Sequence, residues 1–232
     1  MLDFNGQVVL ITGAGSPKGI GRTIAHTFAR QGAQVVITDI NQAGLDANVQ
    51  EMEANGWKAC GIAGNICDKE SVDALVKTVV DKFGRIDVLV NNAGVSQKVT
   101  VADMTLDDMK RIFNVNMFGL FLITQAVCEV MKKQKYGRIV SLSSVSGKRG
   151  GGVFGGAHYS ASKAAVLGFS KNLAREISEY GITTNCVCPG LINTDIWKSM
   201  PQEQADAVIA GIPMGRPGET QEVANAIVFL AS

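Results

Sequence analysis

Short apolar runs rich in β-branched residues alternate with longer segments of helical period along the whole chain. Parallel strands need a long crossover between them, usually a helix, and strands covered on both faces are apolar throughout. The alternation therefore predicts an α/β fold, a doubly wound parallel sheet with helices on both faces. The predicted strands are Val8 to Thr12, Val35 to Thr38, Ala59 to Gly64, Val88 to Asn91, Arg138 to Leu142 and Thr183 to Cys188.

Single glycines stand between several helical segments and the strands that follow them. Glycine adopts the left-handed conformation that commonly ends a helix, because it has no Cβ. We therefore predict helix ends at Gly32, Gly56, Gly84, Gly137 and Gly181.

Size and charge narrow the classes of function. The 232 residues, 46% of them apolar, suffice for a single domain over 1–232, and no linker divides them. Lys and Arg number 22 and Asp and Glu 21, so there is no net field to attract nucleic acid or an anionic membrane. The N-terminus shows no targeting segment, and no apolar run approaches the ~18 residues of a membrane span. We expect a cytoplasmic protein that binds neither nucleic acid nor membrane.

Cysteine and histidine usage argues against a metal site. The 5 cysteines have no CxxC spacing, and the 2 histidines, His26 and His158, have no spacing to each other or to cysteine that suggests ligation. We predict no bound metal.

Two irregular regions break the alternation. Gly147 to Gly156 is rich in glycine, and Leu191 to Gly218 has mixed polarity with several prolines. Both follow the carboxyl end of a strand, where ligands bind in open α/β sheets. We expect substrate loops at about 147–157 and 191–218. The amphipathic pattern of Thr220 to Ser232 stops in mid-course, so we also expect a final C-terminal strand to be missing from this chain.

A glycine-rich turn joins the first strand to the first helix. It runs from Gly13 through Ser16, Lys18, Gly19 and Ile20 to Gly21. Glycines allow the backbone to approach a pyrophosphate, and the N-terminus of the next helix offers free N–H groups and a positive dipole end. The spacing is not the literal GxGxxG, but the strand, turn and helix order is typical of a dinucleotide site.

Asp39 ends the second strand, where an acidic side chain can accept hydrogen bonds from both ribose hydroxyls of a dinucleotide. A 2′-phosphate at the same place would meet a negative charge. Asp39 therefore favours NAD over NADP. Lys18 could instead reach a 2′-phosphate, so NADP stays possible.

Tyr159 and Lys163 are four residues apart, so they share one face of a helix. A phenol titrates near ~10, and a nearby cation lowers its pKa by favouring the phenolate. Such a pair can move a proton on and off a carbinol oxygen.

With these features in this order, the chain resembles the short-chain dehydrogenase/reductase family over its whole length. Further matching segments are Asn91-Asn92-Ala93-Gly94, Asn114-Val115-Asn116, Ser143-Ser144 and Pro189-Gly190 followed by Thr194. The resemblance implies a Rossmann-type fold and a catalytic set of Asn116, Ser144, Tyr159 and Lys163.

In this resemblance each catalytic residue has a role. Tyr159 would exchange the proton with the substrate oxygen, and Ser144 would hydrogen-bond that oxygen. Lys163 would lower the pKa of Tyr159 and hold the nicotinamide ribose, while Asn116 would anchor a water in a proton relay. Ser143 adjoins Ser144, but the family pattern favours the second serine.

The resemblance also implies the cofactor contacts. Beyond Asp39, Tyr159 and Lys163 these would be Gly13, Ser16, Lys18, Gly19, Ile20, Gly21, Ile40, Asn65, Ile66, Asn92, Ala93, Gly94, Pro189, Gly190, Ile192 and Thr194. The chain departs from the family pattern where Pro17-Lys18 lengthens the phosphate turn and where the Gly150 to Gly156 loop is longer. The second departure leaves the substrate open.

Three functions fit the pattern. The leading one is an NAD(P)-dependent oxidoreductase that interconverts a secondary alcohol and a ketone, with a polyol, sugar or small hydroxy compound as substrate. The alternative is a 3-oxoacyl-acyl-carrier-protein reductase, for which the carrier would dock on a basic patch formed by Lys132, Lys133, Lys135, Lys148 and Arg149. A non-catalytic dinucleotide sensor is the third.

Assembly follows from the resemblance as well. Family members commonly form homotetramers, so we expect a homotetramer or homodimer. Its interface would use the helices from Asp103 to Lys132 and from Ser160 to Tyr180.

Overall fold

The computed structural model describes residues 2–151, 153–194 and 202–232. The strands are β1 Val8–Thr12, β2 Gln34–Asp39, β3 Ala59–Ala63, β4 Val88–Asn91, β5 Gly137–Leu142, β6 Ile182–Val187, β7 Ile192–Asn193 and β8 Gly218–Glu219. The helices are α1 Ile20–Arg30, α2 Gln42–Ala54, α3 Lys69–Phe83, α4 Leu106–Phe113, α5 Leu120–Gln134, α6 Val145–Arg149, α7 Ala157–Ile177, α8 Gln202–Ala210 and α9 Thr220–Leu230.

Six strands form one parallel sheet in the order β3-β2-β1-β4-β5-β6. This is the doubly wound, Rossmann-type order, and it confirms the predicted fold class and all six predicted strands within a residue or two. The direction of winding reverses between β1 and β4. Segments that follow these two strands therefore diverge to opposite faces of the sheet and leave a crevice at its carboxyl edge.

Alternate residues of each strand feed two separate apolar cores. Val9 and Ile11 of β1 pack with α1, α2 and α9 on one face. Val8 and Leu10 pack with α3 and α5 on the other. Because both faces are buried, the strands need no polar positions, which is why they stand out in the sequence as continuous apolar runs.

The predicted helix ends are confirmed at four glycines and wrong at the fifth. Gly32, Gly56, Gly84 and Gly181 have positive φ angles. Gly137 does not, and is instead the first residue of β5. The left-handed residue after α5 is Lys135, with φ of 53°. Gly137 is needed for space, since a Cβ there would lie 2.3 Å from the sulfur of Met131.

The two ends of the 191–218 region pair with each other, which the sequence did not indicate. β7 pairs with β8, and the N–H of Gly218 donates to the carbonyl of Leu191 over 2.9 Å. α8 lies between the two strands in sequence. Residues 195–201 of this predicted substrate loop, and Gly152 of the other, lie outside the described residues.

α4 and α5 join through a π-helical segment, Asn114–Gly119, into one continuous helix from Leu106 to Gln134. Among the described residues it is the only helix long and apolar enough to cross a membrane, with a mean hydropathy of 1.4 in its most apolar window. No such segment is expected from the sequence, because its apolar runs are too short for a membrane span. The helix is weak evidence for a membrane span, because core helices pass the same test and 44% of this window is buried inside the protein.

Candidate active site

A cleft of about 1320 Å³ opens at the carboxyl edge of the sheet, across the point where the strand order reverses. It brings together every residue that the sequence analysis assigned to cofactor contact. Ser144, Tyr159 and Lys163 also line it. Asn116 does not reach the cleft wall and is fully buried behind it.

The phosphate turn is held against the β4 side of the cleft at close range. Gly13 has φ of +70°, and a Cβ on it would lie 2.6 Å from the Cα of Ala93. The Nδ2 of Asn92 donates to the carbonyls of Thr12 and Gly13 over 2.9 and 2.8 Å. The hydroxyl of Thr12, which the sequence analysis missed, accepts from the N–H of Ala93 over 3.1 Å. Only glycine fits the turn where the two strands approach each other.

α1 begins at Ile20, immediately after this turn, and its N-cap Gly19 has no side chain with which to cap it. The first N–H groups of a helix lack intrahelical partners and carry a partial positive charge. Glycines on both sides of Ser16, Pro17 and Lys18 let a ligand approach the backbone of the turn closely. The turn therefore fits the pyrophosphate of a dinucleotide.

Asp39 is the residue predicted to contact the ribose of the cofactor, and two backbone N–H groups hold its carboxylate in place. Its Oδ2 accepts from the N–H of Gly15 over 2.9 Å, and its Oδ1 accepts from the N–H of Asn41 over 3.1 Å. Both oxygens keep a further lone pair for a donor. The arrangement fits a ribose diol and opposes a phosphate group.

Tyr159 is held protonated near neutral pH. Burial raises the pKa of its phenol above the ordinary value, and a hydrogen bond with Ser144 opposes that rise. Lys163 was expected to lower this pKa, but burial is the largest effect on the phenol and the net change in pKa is upward. The ammonium lies 6.0 Å from the centre of the Tyr159 ring, and its Nζ donates to the carbonyl of Leu142 over 2.7 Å.

Lys163 is only 5% exposed. This burial lowers the pKa of its ammonium to about 8. The ammonium therefore exchanges its proton within the range of ordinary assays.

The two adjacent serines have different partners. The hydroxyl of Ser143 donates to the carbonyl of Lys163 over 2.7 Å. Ser144 shares a hydrogen bond with Tyr159, and its Oγ also accepts from the N–H of Ser146 over 3.1 Å. The geometry therefore favours Ser144 as the serine that would contact a substrate oxygen.

Asn116 lies in the π-helical segment, an irregularity that often occurs at functional sites. Its amide pairs with both backbone groups of Val95, accepting from the N–H over 2.8 Å and donating to the carbonyl over 2.9 Å. It also donates to the hydroxyl of Ser162, which in turn donates to the carbonyl of Tyr159. Asn116 thus connects the loop after β4 to the helix that carries Tyr159.

Gln97 links the same loop to α4 and α7, and the sequence analysis did not identify it. Its Oε1 accepts from Arg111 over 2.7 Å and lies 3.1 Å from Nε2 of the buried His158. Its Nε2 donates to Asp108 over 2.7 Å. Hydrogen bonds from Thr105 and Gln97 lower the pKa of Asp108 to about 2. No motif marks Gln97, because its role depends on three segments that only the fold brings together.

Part of the lining of the cleft is apolar, and we call this part the apolar wall. It comes from two regions that are distant in sequence. Its residues are Val153, Phe154, Ala207, Val208, Ile212 and Met214.

The predicted basic patch is divided between two ends of the molecule. Lys148 and Arg149 follow β5 and are exposed, and Arg149 lines the cleft. Lys132, Lys133 and Lys135 precede β5, so within one chain they lie about 20 Å away at the opposite edge of the sheet.

A protonated phenol beside a hydroxyl, in the cleft that all the predicted cofactor contacts line, can donate a proton to a carbonyl oxygen. In the part of the chain that the structure describes, no group of three or more His, Cys, Asp or Glu side chains could hold a metal ion.

The chain is similar to several known oxidoreductases. The family model described as Enoyl-(Acyl carrier protein) reductase matches residues 13–232. The chain is 42% identical over 233 residues to a 3-oxoacyl-[acyl-carrier-protein] reductase of Synechocystis sp., covering 100% of this chain and 92% of the relative. It is 41% identical over 230 residues to the (2S)-[(R)-hydroxy(phenyl)methyl]succinyl-CoA dehydrogenase subunit BbsD of Thauera aromatica, covering 99% and 91%.

Among solved structures, an NAD+-bound xylitol dehydrogenase is similar to this chain with a TM-score of 0.94 and 30% identity. The match covers 100% of this chain and 94% of the other.

Proposed function

The chain belongs to the short-chain dehydrogenase/reductase family, and on that premise we propose that it is an NAD-linked reductase of 3-oxoacyl thioesters. It is an oxidoreductase that acts on CH–OH groups or the corresponding ketones.

The apolar wall of the cleft is the observation that favours an acyl thioester over a polyol as the substrate. A polyol buries several hydroxyls, and each needs a hydrogen-bond partner when it leaves water. Val153, Phe154, Val208 and Ile212 offer none, but they would pack against an acyl chain. Two similar proteins, the Synechocystis sp. reductase and BbsD, also carry names that specify acyl thioesters.

Arg149 supports the same choice at the mouth of the cleft. It is exposed, it lines the cleft, and Lys148 adjoins it. The pantetheine arm of both acyl carriers bears a phosphate, which a guanidinium binds well. Arg149 would therefore contact the phosphate of the arm while the acyl group enters the cleft.

Asp39 supports NAD as the cofactor, because its anchored carboxylate would accept from ribose hydroxyls and repel a 2′-phosphate. Gly13, Gly19 and Gly21 would hold the pyrophosphate, and Ile40 would contact the adenine. Pro189, Gly190, Ile192 and Thr194 would hold the nicotinamide end. When bound, the nicotinamide would supply the hydride for the carbonyl carbon.

The protein residues would manage the proton and the developing charge. Tyr159 donates its phenol proton to the carbonyl oxygen as that oxygen becomes an alkoxide. Ser144 donates a hydrogen bond to the same oxygen. The ammonium of Lys163 stabilises the phenolate that Tyr159 leaves behind, and Asn116 fixes the helix that carries both residues.

An NAD-linked polyol dehydrogenase is the second candidate. Its support is the similarity to the NAD+-bound xylitol dehydrogenase together with the acidic residue at the end of β2. The apolar wall argues against it.

Initial rates separate the candidates. Acetoacetyl-acyl-carrier protein, acetoacetyl-CoA and the N-acetylcysteamine thioester would be reduced with NADH and with NADPH, beside xylitol and sorbitol with NAD and a 2-enoyl thioester. We expect turnover of the 3-oxo thioesters with NADH. Polyol oxidation without thioester reduction would contradict the proposal, and so would reduction of the enoyl thioester alone.

A matched pair of variants tests the role of Arg149. Arg149→Gln should raise the KM for the CoA and carrier-protein thioesters several-fold and leave the KM for the N-acetylcysteamine thioester unchanged, because only the first two bear a phosphate. Lys58→Gln removes an exposed charge that precedes β3, at the far edge of the sheet, and should change neither. An equal change for all three thioesters would exclude a phosphate contact.

A further inference from the structure

One peptide group of the phosphate turn is held at both ends by side chains. The carbonyl of Ala14 accepts from Nδ2 of Asn48 over 3.0 Å. The N–H of the next residue, Gly15, donates to Oδ2 of Asp39 over 2.9 Å. These two backbone atoms belong to the same planar unit, so rotating one rotates the other. Asn48 therefore controls the direction in which the Gly15 N–H points toward Asp39.

His26 fixes the orientation of the Asn48 amide. A backbone carbonyl only accepts, so the atom of Asn48 that faces Ala14 is the NH₂ group. The Oδ1 then faces Nε2 of His26 at 2.8 Å, which must carry the proton. Asn48 is 3% exposed and His26 9%, so water does not compete for either group.

The first turns of α2 pack closely on the same turn. A Cβ on Gly44 would lie 1.9 Å from the carbonyl oxygen of Gly15. The Nδ2 of Asn41 reaches that oxygen at 3.4 Å. Positions 41, 44 and 48 lie on one face of the helix, so α2 approaches the turn as a single surface. These contacts restrain the Gly15–Ser16 peptide, whereas the preceding Ala14–Gly15 peptide is oriented by Asn48.

Asp39 depends on this arrangement. One of its oxygens is held by Gly15 and the other by the N–H of Asn41. If the Ala14–Gly15 peptide rotates, Oδ2 loses its donor and the carboxylate can turn away from the ribose position.

We propose that Asn48 is a positioning residue for the cofactor: by orienting the Ala14–Gly15 peptide it holds the Asp39 carboxylate in place, and so sets the affinity for the adenosine ribose and the preference for NAD over NADP. This inference rests on the proposed binding of that ribose by Asp39. Asn48 is not among the residues that line the cleft, so its effect would pass through the backbone of the turn.

The test is the equilibrium binding of NAD and NADP to the Asn48→Leu variant, measured by titration calorimetry. Leucine branches at Cγ as asparagine does, with the same number of side-chain heavy atoms, and cannot donate to Ala14. The Kd for NAD should rise about 10-fold, as expected for the loss of a buried hydrogen bond. The Kd for NADP should rise much less, so the ratio of the Kd for NADP to the Kd for NAD should decrease.

Asn55→Leu is the matched control, because Asn55 caps the other end of α2 and is exposed. It should leave both constants unchanged. His26→Phe provides a second route if Asn48→Leu does not fold. It keeps an aromatic ring against Trp57 and removes the donor to Asn48, together with the Nδ1 that lies 4.0 Å from Oε1 of Glu51. The Kd for NAD should rise about 3-fold.

Two results would overturn the inference. One is a folded Asn48→Leu or His26→Phe protein that binds NAD within about twofold of the wild type. The other is an equal loss of affinity for NAD and NADP, which would mean that Asn48 acts on the pyrophosphate and not through Asp39. The Asp39→Asn variant distinguishes failure of the inference about Asn48 from failure of the proposed function. If Asp39→Asn binds NAD as well as the wild type does, Asp39 does not bind the ribose.

Discussion

The proton chemistry of the site depends on how deeply two side chains are buried. Burial raises the pKa of the Tyr159 phenol and lowers that of the Lys163 ammonium to about 8. At neutral pH, Tyr159 is thus a phenol with a proton to give, and Lys163 is still charged. Both states suit reduction of a carbonyl, which consumes a proton.

The rate of reduction should therefore depend on pH through Lys163. Its pKa in the folded protein is lower than usual, so the ammonium is present below pH 8 and is lost as the pH rises through that value. We expect kcat for thioester reduction to be level from pH 6 to 7.5 and to fall above pH 8. Lys163→Arg should remove this decline, since a guanidinium keeps its charge. A level wild-type profile up to pH 10 would contradict the assignment.

The adjacent serines offer a paired test. Ser144→Ala should lower kcat about 10²-fold, because it removes a donor to the developing oxyanion. Ser143→Ala should keep kcat and lower the free energy of unfolding by about 1 kcal/mol, because Ser143 only bonds the carbonyl of Lys163. Rates and urea denaturation of both variants would measure this, and loss of activity in Ser143→Ala would reverse the roles.

At the scale of single residues, the sequence shows which side chains form the site, but it does not show how the fold changes their pKa values. Tyr159, Lys163 and Ser144 could be named from their motif and spacing. The direction of the Tyr159 pKa could not, because it depends on burial by segments far away in the chain. The partners of Asn48 were unpredictable for the same reason: Ala14 and His26 meet it only in the folded protein.

At the scale of elements, the π-helical segment between α4 and α5 aligns the loop after β4 with α7. Asn116 makes this connection through Val95 and Ser162. Close packing accompanies the irregular turn, since a Cβ on Gly119 would lie 2.8 Å from the side chain of Ile66.

Replacing Asn116 should weaken both the fold and the catalysis. Asn116→Leu leaves both backbone groups of Val95 without partners, which should lower the free energy of unfolding by about 2 kcal/mol. It should also lower kcat, because α7 loses a contact that fixes Tyr159. Asn114→Leu is the control, as Asn114 is an exposed residue of the same segment, and should change stability by less than about 0.5 kcal/mol. Equal unfolding midpoints for the two variants would show that the Asn116 bonds contribute nothing.

Strands were the most predictable elements, and irregular elements the least. Buried parallel strands are uniformly apolar, so Val8–Thr12 and Val88–Asn91 could be read from the sequence residue for residue. The β7–β8 pair has only two residues in each strand and depends on a contact across the 191–218 region. The left-handed conformation of Lys135 was hidden because its side chain gives no glycine-like signal.

At the scale of the whole molecule, the described surface retains exposed aromatic residues on the helices that we expect to form an interface. Phe118 is 54% exposed and Phe121 38%, and Phe121 contacts Phe169 of α7 edge to face. We predict a dimer or tetramer by multi-angle light scattering at micromolar concentration. Phe118→Asp combined with Phe121→Asp should shift the protein toward monomers. A monomeric wild-type protein would contradict the predicted assembly.

The substrate is also a property of the whole molecule. The apolar wall combines the loop after α6 with the segment around α8, and no local pattern shows that the two meet. For this reason the sequence alone led to a polyol, from Asp39 and its link to NAD, while the cleft and the similar proteins favour an acyl thioester.

One measurement tests the central claim most directly: the initial rate of NADH oxidation with acetoacetyl-CoA, for the wild-type protein and for Tyr159→Phe. The variant keeps the ring but has no proton to give. We predict that the wild type turns over this thioester, and that Tyr159→Phe binds NADH with the same Kd while its kcat falls about 10³-fold. A Tyr159→Phe enzyme that reduces the thioester at the wild-type rate would contradict the account.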